Sequence, residues 1–184
     1  ISGAAANPDM RPVPVLIHPP ALHESGDSRI IPFDLSALLD AGDHACTSPN
    51  LMASFIRVKV GEKVETSATA TSQAFYVIRG KGMSTSEEHG KVHWSTGDMF
   101  VVPVTPGTIS HECFDAEQGG AALYWIHDEP LMEYLGVEPR KKKFRPTVYK
   151  REALLERVEE IKHASGRSTN RLGVLLGSAD CDQT

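Results

Sequence analysis

From about Leu51 to Asp128, apolar and polar residues alternate in short runs, each closed by a turn signal. Residues 52–60 alternate and stop at Gly61. Residues 74–78 are apolar and end at Arg79-Gly80-Lys81-Gly82. Residues 82–86 and 91–94 flank Glu87-Glu88-His89-Gly90, a hairpin signal. Residues 99–102 lead into Pro103-Val104-Thr105-Pro106-Gly107, and residues 108–114 and 121–126 complete the series. Many short strands at regular spacing predict a sandwich or barrel.

The flanks differ. Residues 1–29 carry Pro8, Pro12, Pro14, Pro19 and Pro20 and predict an irregular arm, laid over the rest or partly disordered. Residues 30–34 suggest a strand, and residues 36–41 a helical turn capped by Asp34 or Ser36. Residues 129–136 suggest a short helix. A longer one is predicted over 150–164, where Leu154, Leu155, Val158 and Ile161 fall at helical spacing and Ser165-Gly166 gives a stop. The division is an arm over 1–29, a barrel over 30–136, a basic loop and helix over 137–166, and an apolar tail over 167–184.

Within the β region, Gly61 and Gly80 frame a metal-binding pattern, Gly-x5-His-x-His-x3-Glu-x6-Gly, with Ser67, Thr69 and Gln73 where His, His and Glu would stand. Read as one strand, 67–77 puts Ser67, Thr69, Thr71, Gln73, Phe75 and Val77 on one face, inward in a small barrel. Neutral oxygens there are poor ligands for a divalent transition metal, which wants imidazole and carboxylate. A second pattern, Gly-x5-Pro followed by His, is met by Gly97, Pro103 and, after a longer turn, His111. His111 and Cys113 share a face, with Glu112 opposite.

These residues carry a resemblance. Residues 74–82, 92–103 with Trp94-x-x-Gly97-Asp98, His111-Glu112, and 122–131 ending Asp128-x-Pro130-Leu131 resemble a cupin. Within cupins they resemble one half, by position N-terminal, of the gentisate 1,2-dioxygenase type of bicupin. The resemblance covers about Leu51 to Gly136. It implies a mostly β fold: a cupin double-stranded β-helix barrel with an N-terminal arm and a C-terminal helix. It also implies a family that cleaves an aromatic ring with Fe(II) and O2 using two barrels per chain. Only His111 matches a ligand position, so no metal is expected on this barrel. Fe(II) is expected on a partner barrel, reached as a separate chain, a cleaved half or a homo-oligomer. The chain begins at Ile1 rather than Met, so residues are expected upstream, and the tail would suit a linker into a second barrel.

Two alternatives stand beside this reading: a non-catalytic, small-molecule-binding or regulatory cupin, and an enzyme using His111 and Cys113 without iron. The pocket candidates are Ser67, Thr69, Gln73, Phe75 and His111, with a small aromatic molecule as ligand. The plainer roles are equally open. Gln73 can satisfy neighbouring polar groups, and His111 can be a buried, hydrogen-bonded histidine. Cys113 can be a small buried hydrophobe, and Phe75, Tyr76, Phe100, Tyr124 and Trp125 can be core or interface aromatics.

Composition narrows the partners. A net charge of −5 gives no reason to expect nucleic acid or an anionic membrane, and no apolar run is long enough to span a bilayer. Cys46, Cys113 and Cys181 form no C-x-x-C, so a disulfide framework is not expected and the cytoplasm is the default location. The basic run Arg140, Lys141, Lys142, Lys143 and Arg145 reads as a solvated or salt-bridged surface.

Overall fold

The alternating segments form strands because each buries one side of its pleat and exposes the other. The computed structural model describes residues 14–163 and 173–177. Its strands are β1 (Arg29–Pro32), β2 (Met52–Val58), β3 (Lys63–Thr66), β4 (Ser72–Arg79), β5 (Lys81–Ser86), β6 (Gly90–Ser95), β7 (Met99–Pro103), β8 (Ile109–Cys113), β9 (Ala121–His127) and β10 (Thr147–Tyr149). The helices are α1 (Ala21–Glu24), α2 (Ser36–Leu39), α3 (Glu129–Leu135) and α4 (Arg151–His163).

One antiparallel sheet has the order β1-β2-β9-β4-β7-β10, and the other β3-β8-β5-β6. The chain crosses between sheets at β2–β3, β3–β4, β4–β5, β6–β7, β7–β8 and β8–β9. This winding is the double-stranded β-helix of the cupin fold. The inner faces meet in one core that includes Ile56, Val58, Phe75, Val77, Trp94, Phe100, Leu123 and Trp125. The frame glycines are turn positions: Gly61 has φ +74°, and Gly80 has φ +93° with Ala121 Cα only 2.9 Å from where a Cβ would stand.

The described part of the arm lies over the outer face of β2. Buried Arg57 donates from Nε to Gly26 O at 2.8 Å, and from Nη1 to His23 O and Glu24 O at 3.0 Å each. Arg79 donates to His23 O at 2.7 Å. Beneath the arm, Phe33 and Phe55 meet edge to face at 4.6 Å. Thus β2 is covered on both sides, and six of its seven residues are buried.

The sheet runs past the expected barrel boundary at residue 136, because β10 pairs with β7 through Thr147–Val101, Val148–Phe100 and Tyr149–Met99. Lys142 of the basic run pairs with Glu88 at the β5–β6 hairpin. Just beyond β10, fully buried Asp98 accepts from Lys150 Nζ at 2.7 Å and from the Arg151 backbone N–H at 3.0 Å. One carboxylate therefore fastens the start of α4 to the β6–β7 turn. The predicted helix is present, but no α4 residue is buried, and Leu155 stays 48% exposed. Arm residues 1–13, the Ser165-Gly166 stop, Cys181 and most of the 167–184 tail lie outside the described residues. No helix among the described residues is long and apolar enough to cross a membrane.

Candidate functional site

The first metal pattern straddles two strands rather than one. β3 ends at Thr66 and β4 starts at Ser72, leaving 67–71 outside both ladders. Up to Ala70 the inward positions are Val64, Thr66, Ala68 and Ala70; from Gln73 they are Gln73, Phe75 and Val77. The phase slips by one residue between them. Ser67, Thr69 and Thr71 are therefore exposed, which corrects their expected inward placement. The slip is held by carboxylates beyond β9: Thr69 N–H donates to Glu129 Oε1 at 2.6 Å, and Thr71 N–H to Asp128 Oδ1 at 2.8 Å. Ser67 Oγ donates to Gly107 O at 3.2 Å.

Gln73, Phe75 and His111 do lie inside the barrel. Phe75 is register partner to both Phe100 on β7 and Trp125 on β9. Adjacent strands lie about 4.8 Å apart, so flat rings on opposed positions stack. Phe75 and Phe100 stack at 4.7 Å and 10°, and Phe75 and Trp125 at 6.1 Å and 6°. Trp125 Nε1 donates to Gln73 Oε1 at 3.0 Å, so Gln73 serves the indole. The aromatic rank fills the middle of the barrel.

His111 sits beside that rank, 5.0 Å from Phe75 and 0% exposed. It opposes Val64 on β3 and Ser84 on β5. Trp94 Nε1 can only donate, and it lies 2.8 Å from Ser84 Oγ. Ser84 then turns its own hydrogen to His111 Nδ1 at 2.7 Å, and Nε2–H donates to Thr66 Oγ1 at 2.9 Å. Thr66 completes the chain to Ile109 O at 3.5 Å. This assignment leaves neither imidazole nitrogen spare. Burial pushes the His111 pKa down to about 3, so the ring is neutral.

The motif is thus a poor fit to a catalytic metal. The inward positions offer Thr66, Ala68, Ala70 and Gln73, and the single imidazole is fully hydrogen-bonded. Among the described residues, no group of three His, Cys, Asp or Glu could hold a metal ion. Cys113 is also buried, and burial pushes its thiol pKa up, away from the reactive thiolate. Its sulfur accepts from Asp115 N–H at 3.4 Å. His89 reaches Val104 O at 3.2 Å, while His93 is exposed.

Sequence reasoning missed Thr66, Ser84 and Trp94 as partners of His111. Two signals were available. Val64, Thr66, Ala68 and Ala70 form an inward series against Glu65, Ser67, Thr69 and Thr71. The β5–β6 hairpin also puts Ser84 and Trp94 on one face, and Gly82 leaves room for the indole. A Cβ on Gly82 would stand 2.4 Å from the Trp94 ring.

No protein-family model matches the chain, and no curated protein matches it. Solved structures do. Salicylate 1,2-dioxygenase from Pseudoaminobacter salicylatoxidans, in its adduct with gentisate, is 22% identical with a TM-score of 0.45, over 65% of this chain and 28% of that one. The Clostridium difficile EutQ protein is 18% identical with a TM-score of 0.39, over 55% of this chain and 68% of that one. The chain matches less than a third of the dioxygenase's length. The fold assignment rests on the strand order.

Proposed function

We propose that this barrel is the metal-free, non-catalytic half of a gentisate 1,2-dioxygenase-like protein, with the ring-cleaving Fe(II) on a partner barrel. The observation that carries the first part is His111, whose two ring nitrogens are both bonded inside a barrel filled by Phe75, Phe100 and Trp125. An imidazole committed in this way is a packing element, and its neighbours supply no second ligand. The residue pattern from Ala74 to Leu131 supports the dioxygenase-like part. The role left to such a half is to brace and orient the barrel that does the chemistry.

Anaerobic loading with Fe(II), followed by metal analysis and native mass spectrometry, tests this. The isolated chain should retain no stoichiometric iron, and a complex with a second barrel should carry it. One iron per isolated chain would overturn the metal-free assignment. A stable monomer that binds no partner barrel would overturn the pairing. A second reading, a small-molecule-binding cupin, is favoured by a cleft at the barrel mouth.

A further inference from the structure

β9 ends at His127 and α3 begins two residues later at Glu129. Both line a cleft of about 400 Å³ at the barrel mouth, within the range of small-molecule sites. His127 is 5% exposed, and its Nδ1 is buried without a hydrogen-bond partner. Native structures seldom leave such a group unsatisfied. Glu129 Oε2 lies 3.8 Å from it, too far for a direct hydrogen bond. That carboxylate is not free to close the gap, because its other oxygen holds Thr69 N–H at 2.6 Å.

The rest of the cleft states what would fit. Glu133, one turn further along α3, and Asp43 add two more carboxylates to the lining. Glu133 is partnered by His44 Nδ1 at 3.1 Å. Like charges four residues apart on a helix repel, so positive charge between them is favoured. Ile30, Met52 and Trp125 give an apolar wall. An anion is disfavoured by three carboxylates. A bound metal ion is disfavoured because, among the described residues, no three His, Cys, Asp or Glu side chains converge. With its proton on Nε2, His127 presents an Nδ1 lone pair beside a carboxylate oxygen, and one group that donates to both fits the gap.

We propose that the cleft binds a small organic cation, a primary ammonium on an apolar body. Its N–H groups donate to Glu129 Oε2 and, after a small outward turn of the ring that uncovers it, to His127 Nδ1, and its body lies against Trp125 and Met52. The site shares Trp125 with the aromatic rank and opens from the barrel interior at its mouth, and its occupancy does not depend on where iron is held.

Benzylamine, benzyl alcohol and benzoate, titrated into the chain at pH 8 by calorimetry, test the assignment. Imidazole nitrogen shifts followed by NMR report on His127. Benzylammonium should saturate one site and move the His127 Nδ1 resonance. Binding should weaken by about tenfold in Glu129→Gln and in His127→Phe, the size expected for one hydrogen bond to a charged group. Surface-exposed Glu133→Gln should weaken it a few-fold, and this variant keeps the test valid should the other two fold poorly. Equal binding of benzyl alcohol, tighter binding of benzoate, or no saturation at millimolar benzylamine would overturn the proposal. So would benzylammonium binding unchanged in all three variants, as would a bridging water that no amine displaces.

Discussion

His111 and His127 are both buried imidazoles on barrel strands, and their surroundings differ in two respects, the hydrogen-bond partners and the charges nearby. His111 has a partner on each nitrogen and no ionisable group among those partners. His127 has an empty Nδ1 and faces Glu129 across 3.8 Å. Burial lowers both pKa values. At His127 the nearby Glu129 and Asp128 push the other way. Burial alone therefore does not mark a functional histidine. The two differ in their partners: His111 closes a donor chain inside the core, and His127 leaves Nδ1 open beside a carboxylate, which is the basis of the binding site proposed above.

The comparison breaks most visibly in the interior. Phe75→Ala removes the middle of the aromatic rank and should cost about 3–5 kcal/mol, read from urea unfolding. His111→Leu should cost about 2–4 kcal/mol, since it leaves the Ser84 hydroxyl hydrogen and the accepting side of Thr66 Oγ1 without partners in an apolar core, while Trp94 and Ile109 keep theirs. A loss below about 1 kcal/mol would mean that the hydrogen-bond chain is not what holds the site. His111 also sets a pH dependence. Its folded pKa of about 3 lies below the unfolded value of about 6.5, so its contribution is complete above pH ~6.5. It falls as the unfolded chain takes up the proton between those values. Stability measured from pH 7 to 4 should drop, and His111→Leu should flatten that slope.

Asp98 comes next. Burial pushes its carboxyl up, but the hydrogen bonds from Lys150, Arg151 N–H and Ser95 N–H outweigh burial and hold it below the usual range. Its stabilisation is present above the unfolded pKa of about 3.9 and is lost as pH falls through the folded value. Asp98→Asn should cost about 1–3 kcal/mol, with α4 amides losing exchange protection before the barrel does.

At the mouth, His127→Phe should change stability by less than about 1 kcal/mol, because it removes an unsatisfied group while keeping a ring against Trp125. A loss as large as that of His111→Leu would erase the distinction between the two histidines. The smallest signal is chemical. In a Cys181→Ser background, the native protein should resist thiol reagents, since Cys46 and Cys113 are both buried. Rapid labelling of Cys113 would revive it as a nucleophile.

Most of the fold was legible because strand periodicity and turn residues are local. The hairpin around Glu87–Gly90, the Gly61 and Gly80 turns and the α4 helix all came from neighbours in sequence. β10 was not legible. It has three residues, and it is a strand only because β7 offers an edge. The site was harder. His111 was singled out, yet its partners come from β3, β5 and β6, and which residues meet across a barrel depends on register. The inward placement of Ser67 and Thr69 failed because the motif frame assumed one uninterrupted pleat. His127 stands at the end of β9, and nothing in its sequence neighbours shows that its buried Nδ1 lacks a partner.

The phase slip before Gln73 has a practical consequence for anyone trying to revive this barrel as a catalyst. Grafting histidines by motif alignment, as Ser67→His and Thr69→His, would place imidazoles at exposed positions around the mouth cleft and not among the inward side chains. The positions that look inward on that segment are Ala68 and Ala70, 6% and 1% exposed. A working graft would have to start there, and Thr66 would have to release His111 before any ion could take its place.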